Sequence, residues 1–188
     1  MIDSKLFATM IMGTALAGCA SQPAVPSPTT KTMILEQALV GRTAGDGILV
    51  NGLTGQETKF SVIIDGAWDG KFLTLVEEFV YSDGAKERKT WHLTKISDVE
   101  YQGTRDDIIG TAKVYQDGRA VRLNYALAVN TGIGNIAVRF RDLLSLQDDG
   151  SIANRAIASK FGLRVGRIIL TLHRTPQSTL ADVGDEHR

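Results

Sequence analysis

Phe60-Ser61-Val62-Ile63-Ile64, Trp68-Asp69-Gly70, Leu73-Thr74-Leu75-Val76-Glu77-Glu78-Phe79-Val80-Tyr81 and Ser82-Asp83-Gly84 follow one another near the middle of the chain, and a second long run leads through Arg88 and Trp91 to Lys95. Side chains alternate in each run, so Phe60, Val62 and Ile64 share one face and Leu73, Leu75, Glu77, Phe79 and Tyr81 another. That period of two is a strand signal. Asp-Gly pairs close the runs, and their tolerance of positive φ suits tight hairpin turns.

Outward from this stretch the same grammar repeats. Upstream, residues 48–50 form a short strand broken by Gly52 and Gly55, and Asp65-Gly66 and Asp69-Gly70 both offer turns around Trp68. Residues 33–40 suit a short helix that stops at Gly41. Downstream, strands are expected over residues 100–104, 110–116, 119–129, 135–146 and 163–174, with a turn at Asp117-Gly118 and another at Asp148-Asp149-Gly150. Residues 152–161 are alanine-rich and fit either a helix or an irregular strand. Many short strands with tight turns predict an all-β domain. The meander order favours an antiparallel up-and-down, lipocalin/calycin-like barrel of about 8–10 strands with a short N-terminal helix. Such a barrel leaves room for one small ligand.

The chain has 188 residues, with 21 Lys plus Arg balancing 21 Asp plus Glu. Zero net charge argues against a nucleic-acid partner. With no like-charge run, no polybasic membrane segment is expected. Residues 1–18 read as a targeting segment: Lys5 precedes an apolar run over residues 6–17, too short to span a bilayer. Leu16-Ala17-Gly18-Cys19 resembles the bacterial lipobox, and Cys19, the only cysteine, is the expected lipidation site. Residues 19–32 are the lipidated cysteine and a flexible Pro/Ser/Thr tether. Residues 33–175 are the single domain, and residues 176–188 a disordered tail. Ala20 after Cys19 implies, by analogy with enterobacterial sorting, the outer membrane with the domain facing the periplasm.

Trp68-Asp69-Gly70, Leu75-Val76-Glu77 with Phe79, Asp83-Gly84, Arg88 with Trp91, Tyr101-Gln102-Gly103, Asp106 with Gly110, Asn154-Arg155 and Ser159-Lys160-Phe161-Gly162 with Gly166 stand in a telling order. In these the chain resembles a family of uncharacterised proteobacterial lipoproteins with a lipocalin-like domain of unknown function. The resemblance implies fold and address and no reaction. The chain departs from it at Asp142-Leu143-Leu144, where the family tends to be aromatic and Met-rich.

No chemistry-bearing motif stands out. His92, His173 and His187 are far apart, no CxxC or HxxxH spacing exists, and no GxSxG elbow is present. No metal, cofactor or catalytic residue is expected. Asp106-Asp107 and Asp148-Asp149 read as turn residues in preference to calcium ligands. Glu77 shares its face with apolar residues, so if that face is interior it needs a partner. With a two-residue loop Arg88 is its diagonal neighbour; with a three-residue loop Lys89 and Trp91 join the face instead. Glu77 and Arg88 are either an internal ion pair or a polar handle for a ligand. Asn154, Arg155 and Lys160 form a second polar group at a barrel mouth, and Tyr125 lies on an alternating face.

The expected function is that of an envelope lipoprotein holding a fatty acid or other small apolar ligand in its barrel. A structural or assembly role with a filled barrel is the alternative. An enzyme would need converging titratable groups, such as Glu77 with His92 or Tyr125.

Overall fold

A computed structural model of the protein describes residues 31–130 and 134–175. One helix, α1 (Leu35–Leu39), precedes ten strands: β1 (Gly41–Asn51), β2 (Glu57–Trp68), β3 (Phe72–Tyr81), β4 (Lys86–Lys95), β5 (Glu100–Thr104), β6 (Ala112–Asp117), β7 (Ala120–Asn130), β8 (Asn135–Leu146), β9 (Ile152–Lys160) and β10 (Leu163–Arg174). Each strand pairs antiparallel with the next, and β10 pairs with β1 to close the barrel. The targeting segment, Cys19, all but the last two residues of the tether, most of the β7–β8 turn and the tail lie outside the described residues.

The β3–β4 hairpin sets the interior. Ser82-Asp83-Gly84 is a three-residue loop, with Tyr81 N–H bonded to Ala85 O at 2.9 Å and Gly84 at φ 86°. Asp83 Oδ1 accepts from Ala85 N–H at 2.9 Å. This is the turn-plus-left-handed-glycine loop. It places Lys89 opposite Glu77 and Trp91 opposite Leu75. Leu73, Leu75 and Trp91 are therefore buried inside. Arg88 opposes Glu78 on the outer face, 3.5 Å from its carboxylate, with both side chains more than half exposed. The Glu77–Arg88 interior pair is thus corrected, because the extra loop residue moves Arg88 to the solvent side.

Three glycines outside the strands expected from sequence are parts of strands. A Cβ on Gly45 would lie 2.0 Å from Thr171 O, and one on Gly47 would lie 2.4 Å from the Phe60 ring. β1 therefore runs well beyond residues 48–50. Asp65-Gly66 is no turn; it lies inside β2, where α1 crosses so closely that a Cβ on Gly66 would sit 1.8 Å from Leu39 O. Gly66→Ala should cost about 3 kcal/mol, since backbone must yield. Gly47→Ala should cost less, because the Phe60 ring can swing. Urea midpoints test this; equal midpoints would mean α1 is not seated on β2.

Helix α1 plugs one end of the barrel. Met33, Leu35 and Leu39 are buried there. Glu36 accepts hydrogen bonds from Lys95 Nζ at 2.6 Å and from the Tyr101 hydroxyl. Although burial opposes it, these two donors hold the Glu36 carboxyl below its ordinary range. Met33 N–H bonds to Gly118 O at 2.8 Å, tying the entry to the β6–β7 turn. Residues 152–160 are a strand. Ala158 stands opposite Phe140 and Ala156 opposite Asp142, so small side chains are needed where large ones cross the interior.

Candidate functional site

Inward residues leave a cavity of about 270 Å³. Its walls are mostly apolar, with Leu49, Phe60, Phe79, Leu123, Leu127 and Leu170 among them. An apolar cavity of roughly 150 Å³ already holds benzene, so this one has room for a larger small molecule. Set into the apolar wall is a polar cluster: Glu77 from β3, Lys89 from β4, Arg105 from the segment after β5, Tyr125 from β7, Asp142 from β8 and Asn154 from β9.

Arg105 is the centre of this cluster. Its side chain is only 9% exposed, its Nε lies 2.6 Å from Asp107 Oδ1, and its Nη1 lies 3.6 Å from Glu77 Oε2. Its guanidinium sits over the Trp91 ring at 4.7 Å, and the Tyr125 centroid is 6.0 Å away. A planar, weakly hydrated cation suits both contacts. Trp91 meets Tyr125 edge-on at 5.3 Å, and Tyr125 stacks on Phe140 at 5.4 Å. Lys89 Nζ bonds to Asp107 Oδ2 at 2.8 Å. Asp107 is thus claimed by two cations. Against the opposing effect of burial, their hydrogen bonds hold its carboxyl below the ordinary range.

Two other carboxyls are not neutralised in this way. Burial pushes Glu77 up to about 7, with the nearby Asp142 charge adding to it and Arg105 opposing. Burial likewise pushes Asp142 up to about 7, against a 3.0 Å hydrogen bond from the Tyr125 hydroxyl and the attraction of Arg105. Burial, followed by the charge of Asp142, raises Tyr125 well above its ordinary value. Asp142 Oδ1 and Asn154 Oδ1 are buried acceptors with no hydrogen-bond partner. They come from adjacent strands: Asp142 opposes Ala156, and Leu144 opposes Asn154, so the two are diagonal neighbours on the inner face. Buried acceptors of this kind are costly and call for a donor.

Of the residues singled out from sequence, Glu77, Tyr125 and Asn154 line the cavity. Arg88 and Arg155 face outward. Lys160 ends β9 at the open rim, its ammonium 5.1 Å from the Phe161 ring centroid. Cys19 lies outside the described residues. His92 is exposed on the outer face of β4, so Glu77 and His92 do not converge. Asp149 is a turn residue, accepting from Ser151 N–H at 2.9 Å. Asp107 proves instead to be an ion-pair partner of Arg105 and Lys89. Sequence reasoning passed over Asp142, although it continues the alternation of Val138 and Phe140. It also passed over Arg105, which lies off any strand and carries no periodic signal.

No curated protein matches the chain. Among solved structures it is similar to Rv2717c from M. tuberculosis, at 18% identity and a TM-score of 0.51, over 73% of this chain and 93% of that one. It is also similar to a redesigned β-barrel, mFAP1, bound to DFHBI, at 14% identity and a TM-score of 0.40, over 76% of this chain and 100% of that one. The first of these is a likeness of fold alone. The model of the family described as a protein of unknown function (DUF3833) matches residues 13–174, and the chain belongs to that family.

Proposed function

We propose that this is an envelope lipoprotein, anchored through Cys19 in the outer membrane and facing the periplasm, whose barrel binds a small, mostly apolar molecule bearing a cationic or hydrogen-bond-donating end. The address is supported by the lipobox-like Leu16-Ala17-Gly18-Cys19, which falls inside the family match.

The binding reading is carried by one observation: an apolar cavity with two unpartnered acceptors, Asp142 Oδ1 and Asn154 Oδ1, on its wall. Charge points the same way. The carboxyls of Glu77, Glu87 and Asp142 line the cavity, while its cations Lys89 and Arg105 are already engaged by Asp107. A fatty-acid carboxylate would add negative charge where cations are short. An amine or hydroxyl would supply the missing donor. This favours a donor head group over the fatty acid among the small apolar ligands considered.

Three ligands with one chain test it: decylamine, decanol and decanoic acid, titrated by calorimetry into the full chain carrying Cys19→Ser. A charge-assisted hydrogen bond contributes roughly 1.5–3 kcal/mol, so the amine should bind about tenfold or more tighter than the acid. Leu127→Trp, which fills the cavity, should abolish binding, and Asp142→Asn should remove the amine's advantage. Preference for the acid, or undiminished binding by Leu127→Trp, would overturn the reading.

A further inference from the structure

Although net charge is zero, charge is unevenly distributed around the barrel. In β7 to β10 the one acidic residue is Asp142, and it points inward. The outer face of β8, β9 and β10 carries Arg139, Arg141, Arg155, Arg164 and Arg167, all exposed. Among the described residues, no carboxylate lies within ion-pair distance of any of the five.

Strand register interleaves these cations with exposed aliphatics. Arg141 and Arg167 stand on either side of Ile157, which is 46% exposed. Leu143 and Ile169, also exposed, stand on either side of Arg155. Arg139 and Arg164 flank Ser159.

At the open rim of this wall Phe161 is 93% exposed and Leu163 71%. Phe161 has φ 52° and Gly162 φ 81°, a two-residue hairpin whose first position suits Asn, Asp or Gly. A phenylalanine there accepts backbone strain and exposes its ring to water, which neither folding nor solubility requires. The adjoining β1–β2 turn, tied to β10 by Gly52 N–H to Val165 O at 2.8 Å, adds Leu53, 80% exposed.

From this arrangement we infer that the β8–β10 wall, with its Phe161 tip, docks on an anionic lipid surface. Phosphate head groups match the unpaired arginines, and the acyl boundary receives Phe161, Leu163 and the aliphatics between the arginines. A nucleic acid would match the charge but leave the aliphatics and the ring in water. The wall is on the opposite side of the sheet from the cavity residues, so this inference stands apart from the ligand reading.

The test is sedimentation of the full chain carrying Cys19→Ser with phosphatidylcholine vesicles, alone or with 30% phosphatidylglycerol, at low and high salt. Binding should require the anionic lipid and weaken with salt. Arg141→Gln, Arg155→Gln and Arg167→Gln together should lower partitioning on the order of a hundredfold. The matching triple lysine variant should retain it. Phe161→Asn should lower it severalfold with an equal or higher thermal midpoint, which separates lost insertion from lost folding. Unchanged partitioning of the glutamine triple, or equal binding to both vesicle types, would overturn the inference. So would retention on DNA or polyglutamate with none on vesicles.

Discussion

Arg105→Met is expected to lower stability by roughly 3–5 kcal/mol, the cost of stripping a buried charge network of its cation. The guanidinium serves Asp107 at 2.6 Å and Glu77 at 3.6 Å and packs on Trp91 at 4.7 Å. Methionine keeps the packing and removes the charge. Lys89 still reaches Asp107 at 2.8 Å, so the stranded group is chiefly Glu77. The loss should therefore be larger at pH 8, where Glu77 is ionised, than at pH 5, where it holds a proton. Arg88→Met is the comparison. Its pair with Glu78 is solvent-exposed at 3.5 Å and should contribute within about 1 kcal/mol. Urea midpoints of the two variants at both pH values check the assignment. Near-equal losses would mean that Arg105 is solvated and that no internal charge cluster exists.

The unmodified protein should lose stability as pH rises from 5 to 8. Glu77 and Asp142 titrate at about 7 in the folded state, above their ordinary values of 4.5 and 3.8. Between those limits the folded state holds protons that the unfolded chain has released, so unfolding becomes easier with each step up in pH. The contribution is fully present below pH 4, lost through pH 7 and flat above it. At about 1.4 kcal/mol per unit, the two units from pH 5 to the folded value of about 7 give roughly 3 kcal/mol of the fall for each group. Glu36 and Asp107, held low, act with the opposite sign and weaken the fold in strong acid. Stability should peak near pH 4, where the gain from the low-held groups ends and the loss from the raised ones begins. In Glu77→Gln with Asp142→Asn the decline between pH 5 and 8 should vanish. Denaturant midpoints across that range decide; a flat or rising curve for the unmodified protein would place both carboxyls in water.

These effects show which parts of the molecule can be read from residue order. Asp-Gly turns and the Leu73-to-Tyr81 alternation were enough for an antiparallel barrel, because turn chemistry and period are local. The face of Glu77 was legible for the same reason. Its partner was not, since one loop residue decides whether Lys89 or Arg88 enters the interior. Gly45 and Gly47 fell outside the expected strand and Asp65-Gly66 read as a turn, because what excludes a side chain at each glycine is distant in sequence: Thr171 O, the Phe60 ring and Leu39 O. Arg105 leaves no periodic trace. The arginine wall is hidden because its five members come from three strands. Sheet register, and no run of like charge, gathers them.

The most direct test of the proposed ligand site is native mass spectrometry of the protein purified from its source cells in mild detergent. The expected result is a bound small molecule that carries a basic nitrogen or hydroxyl on an apolar body and is absent from Leu127→Trp. Protein that arrives empty and takes up no decylamine at saturating concentration would contradict it.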